Sequence, residues 1–275
     1  MKAFKFIAFT KSWNIPLAEL ASRYVALGLQ GIELAVRDGY PVNPGNMARM
    51  LPEAAGIFAD QGLFIASIAS AVDEPTIAAC GAAQVPLLRV CPKIPPDQDL
   101  LSAIAGFKKQ WDTLIPALDR HGVAIGVQNH CDRYLANAGH LFLALNEYDP
   151  RHVCAVWDPA HNAIHGGPME LALDLVISHL RAVNLKNAFW RLTSGPEADK
   201  AVWKHYWTTG PHGLADWSLL ATELRRRGWS GNLCFSAEYT HPDPDQQYRA
   251  GDELMPLLRS DIEFAKSLFV NSGEK

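Results

Sequence analysis

The residues able to do chemistry in this chain cluster at the ends of short apolar runs. Glu33 follows Gly31-Ile32, Lys93 follows Leu87 to Pro92, and Gln128 and His130 close the run from Ala124. Asp158 and His161 follow Val153 to Trp157, while Asn184, Lys186 and Asn187 punctuate the run from Leu180, and Glu238 follows Leu233 to Ala237. Together they offer proton acceptors in Glu238, His161 and His130, and a fixed positive charge in Lys186. All ten histidines lie between His121 and His241, so the chemistry belongs to the second half of the chain. Each residue also has a plain structural reading. Asp158 before Pro159 suits a turn or a helix cap, Glu33 could pair with Arg37 or with a neighbouring strand, and His130 and His161 taken singly could be hydrogen-bonded core histidines. Lys186 within an apolar run is costly to bury alone, so it either pairs with Asp158 or Glu238 or meets a substrate oxygen.

The elements that must position these groups alternate. Val, Ile and Phe-rich runs read as eight strands: Phe4–Phe9, Gly31–Val36, Phe64–Ser70, Leu87–Pro92, Ala124–His130, Val153–Pro159, Leu180–Ala188 and Asn232–Tyr239. Between them lie amphipathic helices, such as Leu17, Leu20, Ala21 and Tyr24 behind Pro16. Trp217, Leu220, Ala221 and Leu224 repeat the pattern, with Asp216 as N-cap and Gly228 as stop. A last helix from Asp252 to Phe269 stacks Leu254, Leu258, Ile262, Ala265 and Phe269 on one side. Eight strand and helix pairs in 275 residues predict a single-domain α/β protein over 1–275, a (β/α)8 TIM barrel. The competing open doubly wound sheet lacks a G-x-G-x-x-G after its first strand. In a barrel, polar residues at the C-terminal ends of strands face the active site, and so do two long connections. One, Phe189–Gly213, carries Trp190, Trp203, Tyr206 and Trp207 and reads as an active-site loop or an interface between subunits. The other, Thr240–Gly251, carries His241.

Composition limits the partners. A 48% hydrophobic and 20% charged chain is that of a globular protein, and a formal charge of -4 disfavours nucleic acid and anionic membranes. No stretch of about 18 apolar residues predicts a membrane span. The run Phe4-Lys5-Phe6-Ile7-Ala8-Phe9 before Lys11 reads as a first strand instead of a signal peptide. Five dispersed cysteines with no C-x-x-C argue against a disulfide framework or thiolate zinc site, and point to a reducing, cytoplasmic setting.

Four ordered phrases go further: Gly126-Val127-Gln128-Asn129-His130, Trp157-Asp158-Pro159-Ala160-His161, Val183-Asn184-Leu185-Lys186-Asn187 and Ser236-Ala237-Glu238-Tyr239. With these strand-end motifs the chain resembles the xylose isomerase-like TIM barrels, the sugar phosphate isomerase/epimerase superfamily. The resemblance implies a divalent metal held by Glu, Asp, His and Glu from strands five to eight. Position by position, this chain offers Gln128 for the first Glu, Asp158, Asn184 for His, and Glu238. Gln and Asn can donate carbonyl oxygens, so the implied set favours Mg, Mn or Ca over Zn.

The activity implied is sugar isomerisation or epimerisation by proton transfer next to a carbonyl. The base would come from Glu238, His161 or His130 and the electrophile from metal or Lys186, with Glu33, Lys93, Trp190 and Trp207 contacting a small-molecule sugar. A keto-sugar lyase or hydratase is the alternative on the same barrel, and a sugar-binding barrel with a degraded metal site is the non-catalytic one. AP endonucleases of the same superfamily gather histidines from early strands, which this chain lacks before His121. A homo-oligomer is left open.

Overall fold

The computed structural model describes residues 4–243 and 245–270. Its strands are β1 (Lys5–Phe9), β2 (Gly31–Ala35), β3 (Phe64–Ala69), β4 (Leu87–Val90), β5 (Ala124–Gln128), β6 (Val153–Trp157), β7 (Leu180–Leu185), β8 (Asn187–Leu192), β9 (Trp203–Thr208) and β10 (Asn232–Phe235). The helices are α1 (Leu17–Ala26), α2 (Met47–Asp60), α3 (Glu74–Ala82), α4 (Leu100–His121), α5 (Ala138–Leu145), α6 (Pro159–His165), α7 (Met169–Val176), α8 (Trp217–Arg226) and α9 (Leu254–Phe269).

Eight strands close a parallel barrel in the order β1-β10-β7-β6-β5-β4-β3-β2. A strand buried on both faces, such as VCAVW, cannot alternate polar with apolar residues, which is why it appears in the sequence as an unbroken apolar run. The expected faces of α1, α8 and α9 are all buried, and Asp216 caps α8 by accepting from the backbone N–H of Ser218 and Leu219. Among the described residues, no helix is long and apolar enough to cross a membrane.

Two expectations change. Most strands stop one to four residues sooner than the apolar runs predict, because the polar end residues leave the ladder and turn toward the barrel mouth. Strand ten ends at Phe235, and Ala237 then adopts a left-handed backbone at φ 51°, a costly geometry for a residue with a Cβ. The Ser12 hydroxyl holds this turn by donating to the Ala237 carbonyl at 2.9 Å, and Glu238 follows at the rim. The second change is in Phe189–Gly213, which is largely an antiparallel hairpin of β8 and β9, registered from Asn187 opposite Thr208 to Leu192 opposite Trp203. The run read as Leu180–Ala188 is therefore two strands, with Lys186 at the break between β7 and β8.

Asn187 anchors this hairpin. Fully buried, its amide donates to the Gly210 and Ala215 carbonyls at 2.6 and 2.7 Å, and its oxygen accepts from the N–H groups of Ala188 and Ala215 at 3.0 and 2.9 Å. Asn187→Ala strands several of these groups at once. It is expected to lower the unfolding free energy by about 2–3 kcal/mol in a denaturant titration; a loss within measurement error would mean that water replaces the side chain.

Candidate active site

A cavity of about 420 Å³ opens at the C-terminal mouth of the barrel, the face where the strand-end residues converge. Gln128, His130, Asn184, Lys186 and Glu238 all line it. Beside it runs a wider cleft of about 1260 Å³ walled by the hairpin and by the segment after β10; His130, Lys186 and Glu238 face both spaces.

Glu238 is held between two ammonium groups. Lys186 Nζ lies 2.7 Å from Oε2 and Lys11 Nζ 2.7 Å from Oε1. Burial alone would push this carboxyl up, but the two lysines outweigh it and hold Glu238 well below the usual carboxylate range. It is therefore a poor proton acceptor at neutral pH. Burial likewise pulls Lys186 down, yet Glu238 and Asp158 outweigh it and keep the ammonium above its ordinary value. The Lys186 ammonium also sits 4.0 Å above the centre of the Trp207 ring, a cation–π contact that fixes its height in the cavity.

His130 is the free imidazole of the site. Its Nδ1 lies 3.0 Å from the Cys131 carbonyl, which can only accept, so Nδ1 carries the proton and Nε2 is left as an acceptor. Burial, with Lys186 adding to it, lowers its pKa below 6.5, so the ring is neutral at pH 7. Tyr134 and His161 flank it, with ring centres at 4.6 and 4.1 Å.

Asp158 and His161 lie deeper. Asp158 is fully buried and caps α6, its Oδ1 accepting from the N–H groups of Ala160 and His161 at 3.0 and 3.1 Å. Burial pushes its carboxyl up to about 6. His161, also fully buried, accepts the Cys131 N–H on Nδ1 at 3.0 Å and turns Nε2 toward Asp158 Oδ2 at 3.7 Å. Neither residue lines either space. His161 orients the backbone at Cys131 and packs against His130 without reaching the cavity.

Two of the residues expected to contact substrate are placed elsewhere. Glu33 is buried beneath the cavity in a bidentate pair with Arg89, at 3.0 and 2.7 Å, and accepts from Ser67 at 3.0 Å. The charged partner lies on β4, two strands away across β3, and is not Arg37, while the adjacent strand contributes only the Ser67 hydroxyl; Glu33 does not line the cavity. Lys93 is exposed and bridges by its backbone to Tyr134, outside both spaces. Trp190 and Trp207 do wall the wider cleft, Trp190 exposed and Trp207 buried beneath the Lys186 ammonium.

Lys11 and Tyr134 were missed in the sequence although both line the cavity. Lys11 stands two residues past the first apolar run, so the strand-end reasoning that singled out Glu238 reaches it as well. Tyr134 follows no run, and only the fold brings it to His130.

Residues 22–260 match the model of the xylose isomerase-like TIM barrel family. The chain belongs to that family. No curated protein matches it in sequence. Solved structures share the family's fold. An E. coli 3-keto-D-glucoside 4-epimerase, YcjR, in its apo form, superimposes with a TM-score of 0.70 at 14% identity, over 96% of this chain and 99% of its own. A D-psicose 3-epimerase from Clostridium cellulolyticum H10, solved with D-tagatose, gives 0.72 at 11% identity, over 97% and 99%. The IolI protein, solved with a bound zinc atom, gives 0.73 at 12% identity, over 98% and 100%.

The family resemblance implies a metal, and the residues that would hold it meet in space without fitting one. Both Glu238 oxygens are taken by ammonium groups, and one Asp158 oxygen is used by a helix N-terminus. Gln128 turns its amide nitrogen toward the other Asp158 oxygen at 3.3 Å, while its carbonyl oxygen accepts from the Cys91 thiol. Only the Asn184 oxygen, buried and unpartnered, remains available from the expected set. Two ammonium groups already balance the two carboxylates, so the site offers a divalent ion no net negative charge to offset its dehydration.

Proposed function

We propose that the protein is a sugar isomerase or epimerase that moves a proton next to a carbonyl, with the Lys186 ammonium holding the carbonyl oxygen and His130 taking the proton. One observation carries this reading: a neutral imidazole with a bare Nε2 and a buried ammonium line the same cavity. Removing a proton next to a carbonyl puts negative charge on the oxygen. A fixed ammonium in a partly dehydrated pocket stabilises that charge without having to reorganise as it forms. A base near neutrality then accepts the proton without being protonated beforehand.

Glu238 in this scheme is not the base. It keeps Lys186 charged and aimed, and Lys11 balances the carboxylate from its other side. Asn184 and Gln128 add amide groups suited to sugar hydroxyls, and the polar mouth fits a polyhydroxylated small molecule better than an apolar ligand. The sugar epimerases among the similar structures support the substrate class.

Proton abstraction is read directly by incubating the protein with ketohexoses and keto-glucosides in D2O and following the carbon next to the carbonyl by NMR. Catalysed uptake of solvent deuterium is expected. The product separates the alternatives, since a changed configuration or carbonyl position marks an epimerase or isomerase and an unsaturated product marks a lyase. A pure binder would exchange nothing.

A further inference from the structure

We propose that this barrel mouth is built around the ammonium groups of Lys186 and Lys11 in place of a divalent ion, so that the protein works with a side-chain cation where its family resemblance implies a metal. The role of Lys186 toward substrate rests on the reading above; the exclusion of the ion does not.

The resemblance places metal ligands at four positions. At the first and third, a carboxylate and an imidazole are replaced by the neutral amides of Gln128 and Asn184. This removes one negative charge and one strong nitrogen donor. At the second, Asp158 is tied to the first turn of α6 and to the Gln128 amide. At the fourth, Glu238 is saturated by Lys186 and Lys11, each at 2.7 Å. The two departures and the two lysines thus point the same way. Loss of negative charge from the ligand set accompanies positive charge brought in by the chain, which leaves the site near balance without an ion.

Trp207 strengthens the case. Its ring beneath Lys186, at 4.0 Å, gives the ammonium a second fixed contact beside Glu238. A lysine held this firmly is not a mobile side chain that an incoming ion would displace. Among the described residues two other clusters of donors lie nearby, His130 with Cys131 and His161, and Cys131 with Asp132 and His205, each with donor atoms within 4.8 Å of one another. His161 already uses Nδ1 to accept a backbone N–H and His130 uses Nδ1 to donate to a carbonyl, while burial pushes the Cys131 thiol up to about 12. Both clusters depend on this protonated thiol, a poor ligand for a hard ion, and neither contains Glu238, so the comparison of wild type with Glu238→Gln reads the barrel mouth alone.

The experiment is therefore a manganese titration of the whole protein, followed by Mn(II) EPR and calorimetry, with Glu238→Gln alongside. Wild type and Glu238→Gln are expected to bind Mn(II) equally weakly, and wild type purified without chelator from manganese-supplemented cells to carry less than about 0.1 ion per chain. A wild-type affinity tenfold or more above that of Glu238→Gln overturns the proposal. In the converse arm, the triple change Gln128→Glu, Asn184→His and Lys186→Met restores the implied ligand set and removes the ammonium. It is expected to gain about tenfold or more in Mn(II) affinity. A triple variant with wild-type circular dichroism and no such gain also overturns it. Should the triple variant not fold, Lys186→Met alone carries this arm, with a smaller gain expected and the same reading of no gain. Because no substrate enters these measurements, their outcome is independent of whether the deuterium-exchange assay succeeds.

Discussion

If Lys186 holds the carbonyl oxygen as proposed, Lys186→Met is expected to lower kcat/KM on a keto-sugar substrate by about 10²–10³, the range typical of removing one preorganised stabiliser of a developing oxyanion. Methionine keeps most of the side-chain volume and can still meet the Trp207 ring through its thioether, so the change removes charge more than shape. The loss should fall mainly on kcat, because the oxygen carries full charge only after the proton has left. Lys186→Arg should not rescue it. The guanidinium is planar and bulkier, and the space between Glu238 and Trp207 fits a compact ammonium. Circular dichroism checks the fold, since Glu238 keeps Lys11 as a partner after the change. A variant with wild-type kinetics would make Lys186 a structural counter-ion to Glu238 and nothing more.

Much of this site is legible in the sequence because barrel strands are buried on both faces. Any polar residue at the end of such a run stands out against the apolar background, as Gln128, Asn184, Lys186 and Glu238 do, and all four line the cavity. The same contrast misleads where the polar residue is satisfied inside the barrel. Glu33 looks like Glu238 in the sequence, but its partner Arg89 lies 56 residues on, in β4, and only the closed register of β2, β3 and β4 brings the two together. Asp158 illustrates a residue for which both readings hold: it caps α6, as Asp before Pro suggests, and from the same place it contributes to the field on Lys186. The hairpin was hidden for a different reason. Its aromatic residues carry strong strand propensity, yet the intervening Ser194-Gly195-Pro196 and the charged residues around it resemble a loop, and pairing between β8 and β9 is visible only once Asn187 anchors the base. Charge state was the least legible property. By type and position Glu238 reads as the natural base, and only the fold puts Lys11, from just past the first strand, on its other oxygen.

His130→Gln is expected to cost about 10²–10⁴ in kcat, the usual contribution of a positioned general base, and to change the pH profile as well as the rate. In the wild type, burial and the nearby Lys186 hold the His130 pKa below 6.5. The active form is the unprotonated one, so kcat/KM should be flat through pH 7 and fall as the pH drops through that lowered value. Glutamine cannot titrate, and in the variant this acid limb should disappear. The alternative base, Glu238, is held so far down by its two lysines that a profile governed by it would stay flat to much lower pH. His161 is distinguished by position: buried behind His130 with Nδ1 engaged, it can alter the rate only through the ring it packs against. Following unfolding across the same pH range guards against confusing loss of activity with loss of fold. The buried histidines take up protons on unfolding below pH 6.5 and so weaken the fold as pH falls, whereas Asp158, pushed up to about 6, binds its proton more readily in the folded state and works in the opposite direction. An acid limb that survives His130→Gln unchanged in a protein still folded at that pH would move the base to another residue and leave His130 as part of the cavity wall.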